Sequence, residues 1–222
     1  TKSLTFPPDE PNTIYLSVEQ GGLFKSENDG ASWRELDGYY QPTQRSYRDI
    51  HCITPMPSNS RELLMTTGVG IFHSFDAGET WAHIADESFR IAYPDHLLLS
   101  PDDENTIFVS GAARPPSTWS KARVAEGTVM KSRDRGRTWT VMQKGLPETQ
   151  RPNIESMGMA TWPGGFMLFV GNTDGEVFCS NDGAESWSRI AEHLPPVSKV
   201  GHYRFLTDGS PAALPNASQP NS

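Results

Sequence analysis

Ser26-Glu-Asn-Asp-Gly-Ala-Ser-Trp33 returns three times with the same skeleton, as Ser74-Phe-Asp-Ala-Gly-Glu-Thr-Trp81, Ser132-Arg-Asp-Arg-Gly-Arg-Thr-Trp139 and Ser180-Asn-Asp-Gly-Ala-Glu-Ser-Trp187. The copies begin 48, 58 and 48 residues apart and share the form Ser-x-Asp-x-Gly-x-Ser/Thr-Trp. A β-branched and aromatic run leads into each box: Gly22-Leu-Phe-Lys25, Gly70-Ile-Phe-His73, Thr128-Val-Met-Lys131 and Glu176-Val-Phe-Cys179. A second strand-like run leaves each: Trp33-Arg-Glu-Leu36, Trp81-Ala-His-Ile84, Trp139-Thr-Val-Met142 and Trp187-Ser-Arg-Ile190. The box therefore reads as the turn of a β-hairpin. The carboxylates of Asp76, Asp134 and Asp182 accept from backbone N–H groups of the turn, and glycine supplies a positive φ without a Cβ penalty. The indole is expected to lie between neighbouring sheets. Two copies depart: Asn28 stands in for aspartate in the first, and Ala184 for glycine in the fourth.

Repeats at this period flanked by strands predict an all-β chain of four-stranded antiparallel units arranged as the blades of a β-propeller. The third unit is the clearest, with strands at Asp95–Ser100, Asn105–Gly111, Thr128–Ser132 and Trp139–Gln143. The second begins with His51–Pro55 and Glu62–Thr67, the fourth with Glu155–Thr161 and Phe166–Gly171. Lys199–Leu206 reads as the opening strand of a fifth unit, so residues 1–207 are expected to be propeller and 208–222 a polar Pro/Ser/Asn tail. Four blades and one strand leave two expectations: the ring is completed by another chain or fragment, or it has few blades and closes with that last strand.

The boxes resemble those of the Asp-box, or BNR-repeat, family of sialidase-like and sortilin-like β-propellers. In that family the boxes are structural and lie away from the catalytic face, so the resemblance directs attention to the opposite side. A sialidase would hold a carboxylate with three arginines, one in a Phe/Tyr-Arg-Ile-Pro motif. Phe89-Arg-Ile-Ala92 is the nearest match, and no Tyr/Glu nucleophile pair can be assigned. A sortilin-like member would instead bind a protein or peptide without catalysis.

The bulk numbers narrow the field. A net charge of −8 over 222 residues argues against a nucleic-acid partner, and no apolar run approaches membrane-spanning length. Two cysteines in different units, Cys52 and Cys179, read as free thiols and favour the cytoplasm, with secretion as the other option. There is no phosphate loop, dinucleotide fingerprint, Gly-x-Ser-x-Gly elbow or His-Glu-x-x-His.

The meander puts the boxes at the bottom of the blades and the inter-blade loops on top. Those loops (Asp37–Ile50, Asp86–Asp95, Lys144–Ile154 and Glu192–Gly201), with an insertion at Ala112–Gly127, carry Arg48, Arg90, Tyr93, Arg114, Trp119 and Arg151 as candidate substrate-binding groups. Their basic, aromatic character predicts a small-molecule or glycan ligand, with the arginines suited to an anionic one. At the heads of the innermost strands stand His51, His96, Glu155 and His202. Three imidazoles and a carboxylate at a channel mouth suit acid–base catalysis, or one divalent metal ion such as Zn²⁺, Fe²⁺ or Mn²⁺, with Asp49 and Asp95 as orienting partners. The reading is thus a hydrolase or lyase acting at the top face, with a non-catalytic propeller binding a protein or peptide as the alternative.

Overall fold

The computed structural model describes residues 3–40, 48–147, 151–198 and 202–206. They form four four-stranded antiparallel sheets, each strand paired with the next in sequence. The first sheet holds β1 (Ser3–Thr5), β2 (Ile14–Val18), β3 (Gly22–Ser26) and β4 (Arg34–Leu36). The second holds β5 (Ile50–Met56), β6 (Asn59–Thr67), β7 (Gly70–Ser74) and β8 (Ala82–His83). The third holds β9 (Tyr93–Leu99), β10 (Ile107–Ala112), β11 (Gly127–Ser132) and β12 (Thr140–Val141). The fourth holds β13 (Ser156–Trp162), β14 (Gly165–Gly171), β15 (Val177–Ser180) and β16 (Ser188–Ala191). The opening strands β1, β5, β9 and β13 lie side by side, which makes them the inner strands of a β-propeller.

Each box is the β-hairpin turn that its composition predicts. The serine hydroxyl accepts from the N–H of the fifth box residue at 2.8–2.9 Å in all four copies. In copies two to four the aspartate accepts both that serine's hydroxyl and the N–H of the Ser/Thr four residues on. Asn28 reproduces this, its Oδ1 accepting from the Ser32 N–H at 2.8 Å and its Nδ2 donating to the Ser32 hydroxyl at 2.8 Å. The fourth and fifth box positions are both left-handed: Ala77 and Gly78 at φ 61° and 89°, for example, and Gly183 and Ala184 at 68° and 70°. The last box keeps the glycine but moves it one place forward. Its indole differs as well. Trp33, Trp81 and Trp139 donate to the carbonyl of their own box glycine, whereas Trp187 donates to Met142 in the sheet before.

These aspartates make the boxes acid-sensitive. Hydrogen bonds led by those from Thr80 hold the Asp76 carboxyl at about 2, and those led by Ser186 hold Asp182 at about 2. A folded pKa below the unfolded value adds stability above about pH 4 and loses it as pH falls toward the folded pKa. Replacing both Asp76 and Asp182 by asparagine, which Asn28 shows the turn accepts, should flatten the fall in Tm between pH 4 and pH 2. A pH series of thermal melts checks this.

Between the sheets lie three apolar cores. Tyr15, Leu23 and Leu36 meet Ile53, Leu63 and Phe72 between the first two sheets. Leu64 and Ile71 meet Leu97, Ile107 and Val109 between the next two, and Phe108 and Val129 meet Met157, Leu168 and Val170 between the last two. Among the described residues no buried cluster joins the fourth sheet to the first. The outer faces accordingly show Leu4 on the first sheet and Trp162 on the fourth, at 53% and 50% exposure, and Trp33 is more exposed than Trp139 or Trp187.

Two sequence expectations change. Where Lys199–Leu206 reads as a strand, residues His202–Phe205 form a single 3-10 turn. Leu206 packs into a small core with Tyr93, Ala112, Trp119 and Ala125, so its burial belongs to helix docking rather than to a fifth sheet. The insertion between the second and third strands of the third unit forms a short helix, α1 (Pro116–Ala122), with proline in its first turn and Arg123 at φ 57° ending it. No helix among the described residues is long and apolar enough to cross a membrane.

Candidate functional site

The inner strands carry a common register. Ile53, Leu97 and Met157 face the inter-sheet cores and pair with Met65, Val109 and Val170 on the neighbouring strands. Two places before them stand His51, Asp95 and Glu155, all buried; His51 and Asp95 are the unpaired residues of β-bulges at the heads of β5 and β9, and Glu155 immediately precedes β13. His96 is one place out of this row and corresponds to the half-buried Cys52 and the exposed Ser156. The reason is physical: a bulge opposite Ser110 and Gly111 leaves Asp95 unpaired at the head of β9, while His96 stays in register opposite Ser110.

A belt of hydrogen bonds ties the head of each sheet to the next. The Tyr93 hydroxyl donates to Asp49 Oδ2 at 3.0 Å. Nδ1 of His51 lies 2.7 Å from the Pro94 carbonyl oxygen, and since a carbonyl only accepts, that nitrogen carries the proton. Further round, Asn153 Nδ2 donates to Asp95 Oδ2 at 2.8 Å and to Glu155 Oε1 at 3.3 Å, and the Ser198 hydroxyl donates to Glu155 Oε2 at 3.1 Å. Burial, reinforced by the negative charges of Asp49 and Asp95, drives the Tyr93 phenol far above its ordinary pKa, so it is a fixed hydrogen-bond donor.

Within this belt, Glu19, Asp49 and His51 converge. One potential ligand atom from each lies within 4.8 Å of the others, and among the described residues they are the group of at least three His, Cys, Asp or Glu side chains gathered this closely. Glu19 comes from the turn between β2 and β3, and Asp49 and His51 from the head of β5. His51 Nε2 stands 3.3 Å from Asp49 Oδ2. The metal set expected from sequence is thus redrawn: His51 is in the group, His96 and Glu155 are outside it, and the side chain of His202 lies outside the described residues.

The candidate substrate anchors are also placed. Arg48 pairs with Glu35 at 2.5 Å and donates to the Gly21 carbonyl at 2.8 Å. Arg114 pairs with Glu126 at 2.6 Å, and Arg151 pairs with Asp174 at 2.5 Å while donating to the Leu206 carbonyl at 2.9 Å. Trp119 is fully buried, its indole N–H donating to the Arg114 carbonyl at 2.8 Å and its ring edge-on to Tyr93 at 5.8 Å. It braces α1 against the third sheet and presents no stacking face. Arg90 is exposed at the rim. Sequence reasoning overlooked Glu19 and gave Asp49 and Asp95 supporting parts. The signal that finds the inward row is the core residue two places downstream in each inner strand.

No protein-family profile matches the sequence. It is 24% identical over 152 residues to the vacuolar protein sorting/targeting protein 10 of Mycosarcoma maydis, an alignment over 62% of this chain and 10% of that protein. Among solved structures the chain is similar to an ancestral GH74 enzyme, with TM-score 0.65, 18% identity and coverage of 86% of this chain and 24% of that one. It is also similar to the GH74 xyloglucanase of Xanthomonas campestris (0.62, 15%, 86% and 30%) and to YCF48 from Cyanidioschyzon merolae (0.55, 13%, 84% and 54%). The chain thus spans about a tenth of the curated relative and a quarter to a half of these structures. At such identities the likeness concerns the propeller fold.

Proposed function

We propose that this chain is the site-bearing part of an Asp-box propeller enzyme, a hydrolase or lyase acting on a neutral, carbohydrate-like substrate at the top-face mouth. The observation that carries this reading is the convergence of Glu19, Asp49 and His51 on the inner-strand heads. Clusters of buried titratable groups with fixed partners are where acid–base chemistry is assembled. The Pro94 carbonyl fixes the His51 tautomer, so Nε2 faces Asp49 Oδ2 across 3.3 Å. The protonated Tyr93 keeps the Asp49 carboxylate in place. Half-buried Glu19 is the member of the group best exposed to a substrate. Arg48, Arg114 and Arg151 are neutralised by Glu35, Glu126 and Asp174, which leaves no clamp for an anion among them and favours a neutral ligand. The likeness to GH74 structures supports a glycan as fold-level analogy.

The exposed Arg90, Arg114 and Arg151 favour the second reading, a non-catalytic propeller whose arginine-bearing rim binds a protein or peptide. Turnover of matched neutral and uronic-acid oligosaccharides by the purified protein separates the two. The enzyme reading expects cleavage, with neutral substrates processed at least about tenfold better, a difference of about 1.4 kcal/mol in transition-state binding. Absence of cleavage across the series, with tight binding of selected peptides at the top rim, would contradict it.

A further inference from the structure

The geometry points to Glu19, Asp49 and His51 as the ligands of one divalent first-row metal ion. This deepens the enzyme reading by naming a cofactor for the same site, yet it rests on donor chemistry alone and is tested without turnover.

The argument begins at His51. Its side chain is fully buried, and Nδ1 is committed as a donor to the Pro94 carbonyl at 2.7 Å. In the neutral imidazole, Nε2 is then an acceptor. Nε2 has no hydrogen-bond partner of acceptable geometry, and the atom it faces, Asp49 Oδ2, is itself an acceptor 3.3 Å away. Two lone pairs pointed at each other in a buried site repel, and a cation bound by both turns that repulsion into attraction. Asp49 Oδ2 already receives the Tyr93 hydroxyl proton at 3.0 Å, and Glu19 brings a second carboxylate to the same place. A cation is the species for which imidazole nitrogen and carboxylate oxygens serve together as ligands.

A histidine that donates its other ring nitrogen to a backbone carbonyl is the usual second layer of a metal site, because that bond fixes the tautomer and turns the lone pair inward. Donors about 2.0–2.2 Å from a shared tetrahedral zinc ion stand about 3.3–3.6 Å apart, so a spread within 4.8 Å closes with side-chain movements of about 1 Å. One imidazole and two carboxylates favour Zn²⁺, Mn²⁺ or Fe²⁺ over Ca²⁺ or Mg²⁺, which prefer oxygen alone, and over Cu⁺, which prefers sulfur. Three protein ligands leave at least one position open for water or substrate, the pattern of catalytic rather than structural ions. Glu19 belongs to the first sheet, Asp49 and His51 to the second, and the Pro94 carbonyl to the third, so the ion would also fasten three sheets at their heads.

The test uses the intact protein, stripped with chelator and titrated with Zn²⁺ and separately with Mn²⁺. One ion per chain should bind and raise Tm. On ¹⁵N-histidine labelling, Zn²⁺ should shift the His51 Nε2 resonance and leave Nδ1 protonated. Glu19→Gln, a change in a half-buried turn that leaves the core intact, should weaken binding by more than about 100-fold, since loss of outer partners alone typically costs 10–100-fold. His51→Gln should do the same if it folds. Unchanged affinity in Glu19→Gln, or a His51 ring that stays a doubly protonated imidazolium against Asp49 at saturating metal, would overturn the proposal. A chain that binds the ion through these residues but cleaves no substrate keeps this inference and fails the enzyme reading.

Discussion

Asp49→Asn is expected to lower turnover by about 10²–10⁴-fold, the usual contribution of a positioned acid–base group, while leaving the protein folded. The reasoning follows the bonds that Asp49 makes. The Tyr93 hydroxyl donates to Oδ2, and an asparagine carbonyl oxygen at that place accepts the same bond. Its amide then donates toward His51 Nε2, so packing and hydrogen bonding survive and Tm should move by only a few degrees. What disappears is the negative charge and basicity of the carboxylate beside the substrate. The effect should therefore fall on kcat with little change in KM. A variant that keeps full turnover, or one that loses activity only because it unfolds, would remove Asp49 from the chemistry. Stopped assays and thermal melts on one preparation give both readings.

The second large effect concerns stability. Gly145→Ala should lower stability by about 2–5 kcal/mol, the sum of left-handed strain and forced overpacking, equivalent to roughly 5–15 °C in Tm for a chain of this size. Gly145 has φ 89°, and a Cβ there would lie 2.0 Å from the carbonyl oxygen of Trp187. The Trp187 N–H in turn donates to the Lys144 carbonyl at 2.9 Å. Backbone thus meets backbone where the third sheet hands over to the fourth, and neither side has a flexible chain end that could give way. Gly164 supplies the control. It sits at nearly the same φ, 83°, with nothing within 4 Å of the added carbon, so Gly164→Ala should cost only the strain, about 1–2 kcal/mol. The difference between the two variants measures how tightly the sheets dock. Equal losses would mean that the handover is looser than described.

The hairpin turns were readable in the sequence because serine, aspartate, glycine and tryptophan each answer a local demand of one turn, and those demands repeat. Strand positions followed to within a few residues for the same reason. The site was harder. An alternating strand pattern tells which residues share a face but not where a bulge interrupts it, and the bulges that leave His51 and Asp95 unpaired set Asp95, not His96, beside His51 and Glu155. Glu19 gave no pattern at all, since a carboxylate in a turn looks like any solvated residue until folding sets it beside Asp49. The arginines misled in the opposite way: their charge is visible in the sequence, but Glu35, Glu126 and Asp174, which neutralise them, lie 13, 12 and 23 residues away along the chain and meet them only in the fold. Trp119 read as a substrate-binding group because its burial in the core with Leu206 is a tertiary fact.

The central claim is that the inner-strand heads, and not the box side, are where this protein meets its ligand. The box side has its own hollow, a cavity of about 430 Å³ between the second and third sheets lined by Glu62, His73, Phe75 and Arg135, which makes the question a real alternative. A crystal structure of the protein with an uncleaved oligosaccharide bound tests it most directly. Sugar density within hydrogen-bond reach of Glu19 and Asp49 is the result this account predicts. Density in the hollow beside Glu62 and Arg135, with the mouth at Glu19, Asp49 and His51 left vacant, would contradict it.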